Sequence, residues 1–330
     1  MAEGFTWQDG DRVIRFGRGA LADAPLLLGD GYALFTTERA ARAAPEAVAG
    51  AAAVHRVAQG EVARLADALV DALADAPPRL IVALGGGRVI DTAKAAASAT
   101  GSAVAAIPTT LSAAEMTSGH RHATRTPPGT PGTRPRIVVN DPALSASQPA
   151  PELAASAANS LAHAVDGAAT TTISPVSALA AREAVRLTAA AYAGEGEPDR
   201  DALALAALLG GYTIDAAHYG LHHVMAQTLR ALGGAGHGPA NAAMLPHTSA
   251  ALRARAPEVL AELDQAAGGA VEALAWRLAR EAGIAGIRSI GVAQERLPDC
   301  AEAAAQRGDL ALTPPPADAG ELLRLYQHAW

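Results

Sequence analysis

Apolar and polar residues alternate from Phe5 to Phe16 on either side of the Asp9–Gly10 pair, which predicts an opening β-hairpin. Short runs in which nearly every position is apolar follow at Tyr32 (YALFTT), Leu80 (LIVALGGG) and Val104 (VAAIPTT), and RIVVNDP adds another at Ile137. Runs without alternation suit strands buried on both faces of a parallel sheet. Alanine-rich stretches with helical spacing, such as 60–76, separate them, so residues 1–148 read as a doubly wound α/β domain with a parallel, Rossmann-like sheet. Arg121 to Pro135 (RHATRTPPGTPGTRP) reads as an exposed, mobile loop. From about Gln148 apolar residues recur at helical spacing, broken at GEGEPD, GGAGHGP and LTPPP, so 149–330 read as an all-α domain.

Composition narrows the class. Half the residues are apolar and only 3% aromatic, so the core is expected to be built from closely packed Ala, Leu and Val. No apolar run approaches the roughly 18 to 20 residues of a membrane span, and a formal charge of −7 with scattered arginines gives no basis for binding nucleic acid or an anionic membrane. The single cysteine, Cys300, cannot form an internal disulfide, and the N-terminus lacks an export pattern, so a soluble cytoplasmic protein is expected. Among 26 cationic residues only Lys94 is lysine. Retention of a compact ammonium under so strong an arginine bias points to a functional role, against chance retention on a solvated helix.

Gly85, Gly86 and Gly87 stand where a buried strand must turn into a helix, so backbone amides can approach a ligand and the helix N-terminus favours a pyrophosphate. Asp91 and Lys94 follow on one face of that helix. The bland reading is packing alone, because neither GxGxxG nor a P-loop is present. Thr109 and Thr110 close the next strand at the same carboxyl edge, where open α/β sheets bind ligands. Thr36, Thr37 and Glu38 follow the first strand, and a carboxylate there would favour NAD over NADP.

His218, His222, His223, His237 and His247 fall within thirty residues, with Asn159 and His163 an i, i+4 pair upstream. Asn159, His163, His223 and His237 are candidates to converge as a metal centre, as a metal-free polar site, or not at all. The amide of Asn159 is a poor ligand for a hard divalent cation, though three imidazoles can hold zinc or iron. His222 points about 100° from His223 and reads as a surface or interface residue.

With these residues assembled, the chain resembles the iron-containing alcohol dehydrogenase superfamily, most closely its maleylacetate reductase branch. RVIRFGRGAL, IVALGGGRVIDTAKA, AIPTTLSAAEMT, NDPAL, ANSLAHAVDG, GLHHVMAQTL, HGPANAAMLPH and LLRLYQHAW resemble family segments in the family's order. The resemblance implies a dehydroquinate synthase-like architecture with the active site in the cleft between the two domains. It implies nicotinamide dinucleotide contacts at Gly85, Gly86, Gly87, Asp91, Thr109 and Thr110, with Arg88 and Thr36 beside them. Asn159, His163, His223 and His237 occupy the four places that hold Fe2+ or Zn2+ in metal-dependent members, and the maleylacetate reductase branch commonly has asparagine at the first. Departures are Arg88 for the usual serine, Gln227 where the family usually has histidine, His218 where glycine is common, and His120 and His122 after EMT.

The expected protein is a homodimeric enzyme using NADH or NADPH to deliver hydride to a carbonyl or conjugated alkene of a small, carboxylated substrate. His163, His223 or His237 would polarise the oxygen, with Asn159 and Lys94 in the site and Arg88 holding the carboxylate. The alternatives are an Fe2+- or Zn2+-dependent alcohol dehydrogenase and, in another class, a non-redox cyclase or lyase on the same fold.

Overall fold

The computed structural model describes residues 4–146, 148–194 and 196–330. The chain divides into two compact units, Met1–Ser147 and Gln148–Trp330.

The first unit is built on a seven-stranded sheet of order β1-β2-β7-β6-β5-β3-β4. β1 (Phe5–Asp9) and β2 (Arg12–Phe16) form the antiparallel hairpin expected at the Asp–Gly turn, with Phe5 opposite Phe16. β3 (Tyr32–Thr36), β4 (Ala51–Arg56), β5 (Leu80–Gly85), β6 (Ala103–Pro108) and β7 (Ile137–Asn140) run parallel, and β2 joins β7 in parallel. The apolar runs of β3, β5, β6 and β7 are buried on both faces. Leu34, Val82, Leu84, Ala105 and Ile107 pack into one layer, and Phe35, Ile81, Ala83, Val104 and Ala106 into the other.

The short helices α1 (Ala24–Leu28), α2 (Glu38–Ala43) and α3 (Pro45–Ala49) pack on the first layer. α4 (Val62–Ala72) and α5 (Gly87–Thr100) pack on the second. β4 was not foreseen, because AAAVHR has little apolar contrast and its side chains are mostly exposed. It is a strand because β3 offers it a ladder. The segment from Arg121 to Pro135 has no regular element, as expected, but it is anchored. Thr124 bonds Asp67 through both its N–H and its hydroxyl, and His120 Nε2 accepts the Thr133 N–H at 3.0 Å.

The described part of the second unit is helical: α6 (Ala150–Ala168), α7 (Pro175–Ala191), α8 (Arg200–Ala217), α9 (Leu221–Leu232), α10 (His237–Arg255), α11 (Pro257–Ala267), α12 (Val271–Glu281), α13 (Leu297–Ala305) and α14 (Ala319–Ala329). Small residues permit the close α6–α8 crossing. A Cβ on Gly210 would lie 2.8 Å from the Ser160 carbonyl oxygen, and one on Gly167 would lie 2.9 Å from Thr213 Cγ2. That crossing fixes the helix that carries Asn159 and His163. Among the described residues no helix is long and apolar enough to cross a membrane.

Candidate active site

In the α/β unit, connections from β3 and β5 run to opposite sides of the sheet, so the carboxyl ends of these two strands flank the topological switch point. Thr36 ends β3 beside Leu84, and Gly85 ends β5 beside Pro108, which leads into Thr109 and Thr110. The glycines are required for close approach rather than for unusual dihedrals, since none has positive φ. A Cβ on Gly85 would sit 2.8 Å from Val89 Cγ2, one on Gly86 would sit 3.1 Å from Thr110, and one on Gly87 would sit 2.9 Å from Ser112 Cβ. Packing therefore accounts for the triplet, and the same turn presents the first amides of α5 without intrahelical acceptors. Arg88, next in that turn, has a buried Nε with no hydrogen-bond partner among the described residues.

Lys94 is fully buried, and Nζ donates to Asp91 Oδ1 (3.0 Å), Gly119 O (2.7 Å) and Ala114 O (3.2 Å), with Thr117 Oγ1 3.4 Å away. The expectation that it acts on substrate gives way to a positioning role, tying α5 to the segment after Thr110. Glu115 lies in the same polar knot. Its burial pushes the carboxyl up to about 7 against the pull of Lys94 and Arg12. Thr37 caps the start of α2, and Glu38 in its first turn pairs with Arg56 at 3.1 Å, so carboxylate and guanidinium both stand at the β3 and β4 ends.

In the helical unit, α6 and α9 bring Asn159, His163 and His223 together. Asn159 Nδ2 lies 3.5 Å from His163 Nε2, and the His163 and His223 rings are 5.0 Å apart. His237 opens α10 and, with burial, acts to hold His163 and His223 neutral. Burial takes His223 down to about 3 and His163 well below its ordinary value. Asn159 Oδ1, His163 Nδ1 and His223 Nε2 are buried without hydrogen-bond partners among the described residues. Such atoms normally find a ligand or water.

Asp166, one turn beyond His163, was missed by sequence reasoning. Its carboxylate accepts the backbone N–H groups of Gly220, His222 and His223 and the Nδ1–H of His223 at 2.9 Å. It both caps α9 and fixes the His223 ring, leaving Nε2 as an acceptor. The expectation for His222 is corrected. It is fully buried, with Nδ1 2.7 Å from Thr248 Oγ1 and Nε2 2.9 Å from Asn241 Oδ1, a strut between α9 and α10. His247 stands apart against Trp276, and His218 is exposed at the end of α8.

These four positions fit a resident divalent cation poorly. The first is an amide, a weak donor to a hard cation, and the carboxylate beside the cluster is spent on α9 and His223. Among the described residues no group of three or more His, Cys, Asp or Glu side chains is arranged to hold a metal ion.

Two family models match the chain: iron-containing alcohol dehydrogenase over residues 12–142, and the C-terminal part of the Fe-containing alcohol dehydrogenase family over 153–330. A 1,3-propanediol dehydrogenase of Citrobacter freundii is 32% identical over 215 residues, 59% of this chain and 55% of that protein. Maleylacetate reductase 2 of Cupriavidus pinatubonensis is 34% identical over 228 residues, 66% of this chain and 61% of that protein. The chain thus spans somewhat more than half the length of these two relatives. The crystal structure of a maleylacetate reductase from Agrobacterium tumefaciens superposes with a TM-score of 0.83 at 26% identity, covering 100% of this chain and 99% of that one.

Proposed function

The chain belongs to the iron-containing alcohol dehydrogenase family, and we propose that within it the protein is a nicotinamide-dependent reductase of the maleylacetate reductase kind, acting on a small carboxylated substrate. The observation that carries this reading is the neutral set of Asn159, His163 and His223, with three inward polar atoms unpartnered and an amide at its first position. The open amides of α5 and the unpartnered Arg88 Nε support a dinucleotide site at the β3–β5 switch point.

The start of α5 at Gly86 and Gly87, with Arg88, would hold a reduced nicotinamide cofactor, which would supply hydride to an electrophilic carbon of the substrate, with the displaced electron pair going to the carbonyl oxygen, directly or through a conjugated alkene. His163, which carries one ring proton, offers a hydrogen bond to the developing oxyanion. His223 accepts at Nε2 because Nδ1–H is committed to Asp166, so it orients a water that protonates the reduced substrate, and the hydroxide left is reprotonated from solvent. No step passes through a metal.

Fluorescence titration with NADH and NADPH tests the first half, and loss of nicotinamide absorbance on addition of maleylacetate tests the second. Binding of neither cofactor would end the proposal. Iron or zinc present in stoichiometric amount, and lost in His223→Ala, would favour the metal-dependent alternative instead.

A further inference from the structure

Arg307 precedes the 3-10 turn Gly308–Leu312 and distributes its guanidinium over three side chains. Nε and Nη2 donate to Asp309 Oδ2 at 3.0 and 2.8 Å, and Nη2 also donates to Tyr219 Oη at 3.0 Å. Nη1 and Nη2 both reach Gln227 Oε1 at 3.3 Å. A guanidinium only donates, so chemistry fixes the amide: Oε1 faces Arg307, and Nε2 with its two protons faces away. The Tyr219 oxygen likewise accepts from Arg307, which leaves its own proton for another acceptor. The Tyr219 ring lies 5.7 Å from that of His223, and Gln227 follows His223 by one turn of α9. A cation whose charge Asp309 offsets therefore orients two donors, Tyr219 with its ring beside that of His223 and Gln227 one turn along α9.

We propose that Tyr219 and Gln227, fixed by Arg307, form a donor clamp that binds a carboxylate of the substrate within the helical unit; this rests on the reductase reading and specifies its recognition. The clamp presents protons and no free acceptor of its own, so it complements an anionic oxygen better than a hydroxyl. An amide donates a hydrogen bond but does not transfer its proton. Glutamine at 227 thus makes this position one of recognition, whereas the imidazole usual in the family could also deliver a proton. Because Arg307 is already neutralised, the subsite orients an anion by geometry more than by net charge.

The probes are maleate, a four-carbon dicarboxylate, and its dimethyl ester, titrated calorimetrically into the full-length protein saturated with reduced nicotinamide cofactor. Wild type is expected to bind maleate at least about tenfold more tightly than the ester, the scale of one lost hydrogen bond to a charged group. Gln227→Glu keeps the Arg307 contact and removes the outward donors, so it should lose about tenfold or more in maleate affinity with cofactor affinity unchanged. Tyr219→Phe should lose less but in the same direction, and both decide the matter even if Arg307→Met does not fold. Wild type with no preference for maleate over the ester, or Gln227→Glu binding maleate as wild type does, overturns the clamp. Cofactor titration of the same samples keeps the two readings apart: intact cofactor binding without maleate preference removes the clamp alone.

Discussion

His223 donates its Nδ1 proton to Asp166 Oδ2 across 2.9 Å, and its Nε2 is buried with no partner among the described residues. The carboxylate that orients the ring also accepts three backbone N–H groups at the start of α9, so one side chain fixes both the helix and the tautomer. Asp166→Asn keeps the size but can turn an N–H toward Nδ1, driving the proton to Nε2. Turnover is expected to fall by about 10- to 100-fold. Stability should drop by about 2 kcal/mol, because acceptors for buried amides are lost. Steady-state kinetics and urea denaturation measure the two effects, and unchanged turnover in a folded Asp166→Asn protein would refute the orienting role.

Lys94 Nζ holds Asp91 on α5 and the carbonyls of Ala114 and Gly119 beyond β6. Lys94→Met leaves buried carbonyls and a carboxylate without their donor, and Lys94→Arg forces a broader group into a fully enclosed site. Both are expected to cost about 2 to 4 kcal/mol. Weaker nicotinamide binding should follow, since Ser112 and Thr110 pack against Gly87 and Gly86. Equal stability and cofactor affinity in Lys94→Met would return the lysine to an incidental role.

Strands β3, β5, β6 and β7 were legible because burial on both faces leaves unbroken apolar runs, and the glycine turn was legible because close packing against Val89 and Ser112 excludes any Cβ. β4 was not, since a mostly exposed edge strand of alanines carries no pattern of its own. His222 was misplaced because a 100° rotation was taken to reach solvent. Leu221 through Ala226 are all buried, so α9 has no polar face there. Asp166 and Arg307 escaped notice for a different reason: their partners lie 57 and 80 residues away, and pairing across such separations follows only from how the helices pack.

Glu115 gives the α/β unit a pH dependence of known sign. Its folded carboxyl, facing Lys94, Arg12 and Asp91, is pushed up to about 7 by burial, above the ordinary value it has in the unfolded chain. The group's contribution is therefore fully present below about pH 4.5 and is lost as pH rises through about 7. Glu115→Gln mimics the protonated form, so its stability should match wild type near pH 5. It should exceed wild type by on the order of 2 kcal/mol near pH 8. Denaturant melts across that range test this, and parallel profiles for the two proteins would contradict it.

Ala113 and His218 are the non-glycine residues with positive φ among those described, each at +60°. The left-handed region crowds a Cβ, so both positions store strain that glycine would release. Ala113 is fully buried between Ser112 and Ala114, the residues that pack on Gly87, whereas His218 is exposed at the end of α8. Ala113→Gly and His218→Gly should each gain about 1 kcal/mol from relief of strain, less what glycine adds to the entropy of the unfolded chain. The two sites should then part in function. Ala113→Gly loosens the segment that carries the Lys94 acceptors and is expected to weaken nicotinamide binding, while His218→Gly leaves that binding unchanged. Thermal denaturation paired with cofactor titration separates the outcomes, and a loss of stability in both variants would show that the strain is offset by contacts these side chains make.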